Sequence, residues 1–288
     1  MARTHWRSTK TNLPENGAPR QGSSDPVVAR RILGMRVDAT SYQHASGEIL
    51  RWGSLGESRY VCAATVNNVI EAYDDPAYHL SMEGADLVTP DGMPLVWALR
   101  LLGVEGATRV CGPELTPLLC EQAAALGIPV GFYGSTPEVL GELSPNLVRR
   151  YPELRIVYSH SPPFRPLSAD EDVQVIDGIN RSGARLLFVG LGAPKQEQWM
   201  AAHKGRVQAV MLGVGAAFDF LSGNKRQAPK LLQRLGLEWL FRLVQEPRRL
   251  WRRYLYRNPR FVALFLGQLL GGRRAAAPAA AEHEPTRP

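Results

Sequence analysis

Short apolar runs bounded by Gly or Pro alternate with longer stretches of helical periodicity, and this alternation is the strongest constraint on the fold. It predicts strands over 60–66, 85–89, 130–133, 155–158, 185–189 and 209–214. Helices are expected over 66–75, 92–102, 113–126, 136–150, 169–182, 194–203 and 228–245. Such alternation belongs to an α/β domain with a Rossmann-like, open, largely parallel sheet flanked by helices. A chain of 288 residues, 44% of them hydrophobic, can bury one such core. The ends lack the pattern: 1–30 mixes Thr, Ser, Pro, Gly and Arg, and 271–288 is Ala, Pro and charge, so both read as disordered tails. Between them lie an α/β domain at 31–235 and a basic helical C-terminal appendage at 236–270. Two helix starts are legible: residues Ser135 to Glu138 have capping-box spacing, and Pro194 opens the helix after Gly192.

In open α/β sheets ligands gather beyond the carboxyl ends of the strands, so chemistry is expected where strands run into helices. At the first such junction Thr65 and Asn67 place short hydrogen-bonding side chains beside the free N–H groups of a helix start; capping that helix is the competing role. Asp91 stands in a Pro-Asp-Gly turn, where a carboxylate can cap the next helix or take a proton from a hydroxyl as a general base. Arg109, ahead of a Gly-Pro helix start, can clamp phosphate or carboxylate, or form a surface ion pair. The most distinctive junction is GLGAPKQE at 190–197. The bare backbones of Gly190 and Gly192 let a ligand approach a helix start that carries Lys195, Gln196 and Glu197. Lys195 stands where a dinucleotide fingerprint needs its third Gly, so a nucleotide or diphosphate cradle fits better than NAD. Gly213 and Gly215 read as close strand-helix packing, and Asp219 as a residue that holds a turn.

The formal charge of +7 is concentrated in one place. Residues 225–260 hold eleven Lys or Arg against Glu238 and Glu246, a net +9, which leaves −2 for the rest of the chain. Pro247 divides this segment into two helices. In the second, Leu250, Trp251, Tyr254 and Leu255 recur at helical spacing, flanked by Arg248 with Arg252 and Arg249 with Arg253. After Asn258-Pro259, residues 261–270 are apolar but fall short of the roughly 20 needed to span a bilayer. A membrane surface suits this segment; RNA or DNA, or packing on the core with solvated charges, are the alternatives.

Other chemistries lack their signatures. No GxSxG, HExxH or Walker A sequence occurs, and the six histidines are scattered without ligand spacing, so a metal-free mechanism is expected. Asp74-Asp75 before Pro76 reads as a helix end or turn, and is the one candidate for an acidic metal-binding motif. Cys62, Cys111 and Cys120 form no CxxC pair and read as buried, reduced thiols. Neither a signal-peptide stretch nor a spanning run is present, which predicts a cytoplasmic chain.

Together the junctions resemble the WecG/TagA/CpsF family of bacterial glycosyltransferases. The matching elements are Thr65-Val66-Asn67, ADLVTPDG at 85–92, RVCG at 109–112, GLGAPKQE at 190–197, the 213–223 run with FDF at 218–220, RQAP at 226–229, EWLFRL at 238–243 and EPR at 246–248. They cover about residues 31–257 in order. The resemblance implies an inverting, metal-independent α/β transferase without a cofactor. It would move a sugar such as N-acetylmannosamine, its uronic acid or glucose from a UDP-sugar to an undecaprenyl-diphosphate-linked saccharide at the inner face of the plasma membrane. Carried onto this sequence, it implies that Asp91 is the base that deprotonates the acceptor and that Thr65, Asn67, Arg109 and Gln196 contact the substrates. Gly190, Gly192 and Glu197 would belong to the same cradle, and Arg242, Arg249 and Arg252 would close over the site. The implied partners are the UDP-sugar, the polyprenyl-diphosphate acceptor and the membrane surface; homo-oligomer formation is compatible, and no nucleic acid is expected. The alternative kept beside it is a nucleic-acid-binding module built on the basic segment. A nicotinamide-dependent oxidoreductase is weaker still because its fingerprint is missing.

Overall fold

The computed structural model describes residues 27–271, except the side chains of Arg249 and Arg253, so most of both expected tails lies outside the described residues. The chain opens on a hairpin the periodicity did not predict, β1 (Ala29–Ile32) paired antiparallel with β2 (Met35–Asp38). Its first two residues fall inside the expected tail. The helix α1 (Tyr42–Leu55) is also unpredicted, because Ser46 and Gly53 interrupt its buried face; Ser41 caps it by accepting the His44 N–H.

Next come β3 (Arg59–Ala64), α2 (Val66–Asp74), α3 (Pro76–Glu83), β4 (Leu87–Pro90) and α4 (Met93–Leu101). Asp74-Asp75 is the expected helix end: Asp75 accepts the Ala77 N–H at 2.8 Å and starts α3 with Pro76 in its first turn. The central run continues through α5 (Gly112–Leu126), β5 (Val130–Gly134), α6 (Pro137–Arg150), β6 (Ile156–His160), α7 (Ala169–Ser182), β7 (Leu186–Gly190), α8 (Lys195–His203) and β8 (Val210–Gly213). The capping signal at α6 is displaced by one residue. Thr136, not Ser135, accepts the Val139 N–H, since Ser135 takes up the turn out of β5 at φ 62°.

Six parallel strands form one sheet in the order β4-β3-β8-β7-β5-β6. Successive residues of each strand serve opposite layers. Tyr60, Cys62, Tyr133, Leu187, Val189 and Met211 enter one core, and Val61, Phe132, Leu186, Phe188, Val210 and Leu212 the other. Burial on both faces is why these strands read as continuous apolar runs. The β4 edge is covered by the hairpin, whose buried Asp38 accepts the Val88 N–H at 2.7 Å.

After α9 (Ala217–Leu221) the chain forms α10 (Lys230–Arg234), α11 (Glu238–Gln245) and α12 (Pro247–Gly271). Asp219 holds the turn after α9 as expected, pairing with Lys225 at 2.8 Å. The single helix predicted over 228–245 is instead two, separated at Gly236, whose φ is 69° and whose missing side chain admits the Trp97 ring. The break at Pro247 is present, but α12 runs on through Pro259. Internal Pro disfavours a helix by about 3 kcal/mol. Here tertiary contacts on both sides outweigh it. Arg257 and Arg260 pair with Glu71 and Asp74 of α2, Phe261 and Phe265 are buried in the core, and Gln268 hydrogen-bonds the backbone of Leu33 and Arg31. Burial of each Phe contributes roughly 1.5–3 kcal/mol.

Candidate active site

Three passes of chain converge beyond the carboxyl end of the sheet. In the β3–β4 ladder Ala64 lies opposite Pro90, so Thr65 and Asp91 leave the sheet side by side, and the Asp91 N–H donates to the Ala64 carbonyl at 2.8 Å. The Val110 N–H donates to the Pro90 carbonyl at 3.0 Å, which brings Arg109 alongside. These residues floor a cleft that opens to solvent. Its other wall is Gln233 of α10 with Gly236, Glu238, Trp239, Arg242, Tyr254 and Asn258 of the appendage.

Asp91 does not cap its own helix; Gly92 holds that position without a side-chain bond. The carboxylate instead faces the first N–H of α5, at Gly112, and the Arg109 guanidinium, each 3.4 Å away. Burial pushes the Asp91 carboxyl up to about 6 against the pull of Arg109; Glu238 adds to the rise, while the Gly112 N–H and Arg242 oppose it. A carboxyl tuned to that range is suited to general-base work near neutral pH.

Arg109 is no surface ion pair, for its side chain is only 14% exposed. It donates to the Asp91 carbonyl, to Gln233 at 3.2 Å and to Glu238 at 2.7 Å, tying the floor of the cleft to α10 and α11. It also lines the cleft, so the guanidinium that holds these protein partners is open to it as well.

Thr65 is the N-cap of α2 and also lines the cleft. Asn67 lines this cleft and a second, wider one that continues along Glu71, Asp74, Ala193, Pro194, Trp251, Arg252, Leu255, Tyr256 and Arg257. Arg257 donates to the Asn67 Oδ1 at 2.6 Å.

The 190–197 junction divides. Ala193 and Pro194 reach the second cleft, whereas Gly190, Gly192, Gln196 and Glu197 line neither cleft described. Gly190 serves packing: a Cβ there would stand 2.7 Å from the Phe218 ring. Gln196 and Glu197 are buried behind Thr65, where Asn68 donates to Glu197 at 3.3 Å and Gln196 does so at 2.8 Å. Of the three arginines expected from the appendage, Arg242 lines the first cleft and Arg252 the second, over the Trp251 ring; the Arg249 side chain lies outside the described residues.

Periodicity alone missed Glu238, Trp239, Tyr254 and Arg257. Trp239 and Tyr254 stand with ring centroids 6.0 Å apart. The sequence signals were the EWLFRL run for Glu238 and Trp239, helical spacing for Tyr254 and place in the basic segment for Arg257, none of which says which helix face turns inward.

The family model for the WecG/TagA/CpsF glycosyl transferases matches residues 30–275. A relative from Bacillus spizizenii, an N-acetylglucosaminyldiphosphoundecaprenol N-acetyl-beta-D-mannosaminyltransferase, is 33% identical over 211 residues, covering 72% of this chain and 78% of its own. With the parallel sheet and the cleft at its carboxyl end, these matches make the chain a member of the WecG/TagA/CpsF glycosyltransferase family.

Proposed function

We propose that this glycosyltransferase moves a sugar, N-acetylmannosamine or a related hexose or uronic acid, from a UDP-sugar to an undecaprenyl-diphosphate-linked saccharide. The product would enter cell-surface polysaccharide or teichoic acid synthesis. The observation that carries the chemistry is Asp91, a carboxyl held near 6 on the floor of a cleft whose opposite wall bears Arg242. The lipid-linked acceptor is supported by the name of the Bacillus relative.

In this reading Asp91 takes the proton of the acceptor hydroxyl as its oxygen bonds to the anomeric carbon. The bond from that carbon to the UDP oxygen breaks on the opposite face, so the configuration inverts and UDP leaves with the bonding electron pair. Arg242 and Arg252, with Arg249 by resemblance, supply the positive charge that receives the diphosphate, which is why no divalent metal is invoked. Domain roles follow the same division, with 31–235 as catalytic body and 236–270 as closure and membrane contact.

Contact with the inner face of the plasma membrane is supported by the outward face of α12. Trp251, Leu255, Val262, Leu266 and Leu270 are each about half exposed or more, with Arg248 and Arg252 exposed beside them. No helix among the described residues is long and apolar enough to cross a membrane.

The test is transfer from labelled UDP-sugars to a polyprenyl-diphosphate saccharide. Asp91→Asn should retain its fold and lose about 10²- to 10⁴-fold in kcat; wild-type turnover would remove Asp91 as the base. Absence of transfer from every UDP-sugar, with steeply salt-dependent retention of RNA or DNA, would favour the nucleic-acid alternative.

A further inference from the structure

The hydrogen bonds behind Thr65 and Asn67 fix the sign of what each side chain can offer to a ligand. The Thr65 backbone N–H, which can only donate, meets the Asn68 Oδ1 at 3.0 Å. That anchors the Asn68 amide: its oxygen faces Thr65 and its nitrogen faces away, donating to the Tyr78 hydroxyl at 2.6 Å and to Glu197 at 3.3 Å. Tyr78 in turn hydrogen-bonds Glu197, and Gln196 donates to Glu197 at 2.8 Å, so the network ends on a carboxylate that accepts. Asn68, Tyr78 and Glu197 are all buried, which leaves no solvent to reverse this order.

The Thr65 hydroxyl lies 2.7 Å from the same Asn68 oxygen and must spend its only proton there. With that proton spent, the hydroxyl's remaining capacity towards the cleft is that of an acceptor. Asn67 is set the other way. Its Oδ1 accepts from Arg257, a group with no lone pair to offer, which leaves the Nδ2 donors as what Asn67 can offer to the cleft it lines.

We infer that Thr65 and Asn67 read the substrate with opposite polarity. Thr65 accepts a hydrogen bond from a donor of a sugar, a hydroxyl or an acetamido N–H, and Asn67 donates to an acceptor oxygen. Asn68, Glu197, Tyr78 and Arg257 are positioning residues that set these signs. This rests on the proposed transfer between sugars and adds a criterion for which groups the sugar must carry.

Fluorine in place of a hydroxyl keeps the size but cannot donate. Binding is the quantity to read, because fluorine also slows glycosyl transfer. Calorimetry on the full chain, with monodeoxyfluoro analogues of the UDP-sugar and of a soluble diphosphate-saccharide acceptor, covers the hydroxyls; an N-methylated acetamide covers the amide arm. One analogue should bind about tenfold more weakly than its parent, the loss expected when a buried acceptor goes unpaired. Thr65→Val should reduce that discrimination to within about twofold, and Thr65→Ser should restore it.

Asn68→Leu, which frees the Thr65 proton to point into the cleft, should also abolish it. A purely structural role for Asn68 would change melting temperature without changing this ratio. Asn67→Asp, which sets acceptor against acceptor, should weaken UDP-sugar binding about tenfold or more. Full affinity for every fluorinated and methylated analogue, or discrimination that survives Thr65→Val, would overturn the assignment while leaving the transferase reading intact. A wild-type protein that binds and transfers no UDP-sugar would overturn both.

Discussion

Asp91 sits where its environment works against its charge, and this makes two opposite pH dependences. Its carboxyl titrates near 3.8 when unperturbed and at about 6 in the folded protein. Between those values the folded chain holds a proton that the unfolded chain has released. The stability from this group is therefore complete below about pH 4 and is lost as pH rises through 6. Activity should run the other way, since a base must be ionised: kcat/KM is expected to rise about tenfold per pH unit below 6 and level off above it. Glu238 raises the Asp91 carboxyl and Arg109 lowers it. Glu238→Gln should move the midpoint of the rate profile down, and Arg109→Gln should move it up. Rate profiles from pH 4.5 to 9 read both shifts, and a midpoint unmoved in both variants would show that another group limits the rate. At this scale Thr65 and Asp91 were legible because turn chemistry put them at strand ends. The buried partners of Arg109 were not, since Gln233 and Glu238 lie more than 120 residues away in sequence.

The elements of the sheet follow from local pattern, and those of the appendage from contact. Gly236 is the case in point. It separates α10 from α11 at a positive φ, and a Cβ there would lie 2.7 Å from the Trp97 ring. Gly236→Ala should destabilise the protein by about 1–3 kcal/mol. It should also lower kcat, because α11 carries Glu238, Trp239 and Arg242 into the cleft. Thermal unfolding and turnover measured on one preparation check this, and an unchanged kcat would separate α11 from catalysis. Pro247 acts as its sequence predicts, at a helix start. Pro259 does not, because the ion pairs of Arg257 and Arg260 and the buried Phe261 and Phe265 hold the helix on either side of it.

Taken as a whole, the molecule wears α12 across its surface with two different apolar faces. Leu250, Phe261 and Phe265 are buried, while Trp251, Leu255, Val262, Leu266 and Leu270 point outwards. The apolar residues of the basic segment therefore do not form the single stripe that spacing predicted. Deleting the chain after Leu235 would unfold part of the core as well as remove the appendage. Serine at Val262, Leu266 and Leu270 together is the cleaner test. It should reduce flotation with anionic vesicles at least tenfold and leave transfer to a soluble acceptor within about twofold. Undiminished flotation would place the membrane contact elsewhere.

The sequence by itself determined the parallel sheet, the order of its strands along the chain and the junctions at which Thr65, Asn67 and Asp91 emerge. Those depend on periodicity and turn chemistry, which act over a few residues. Only the tertiary structure decided that Gln196 and Glu197 stand behind the cleft, that Arg109 is engaged by the appendage and that Arg257 reaches Asn67. These depend on which surface each helix buries, and burial is settled by the packing of segments far apart in the chain.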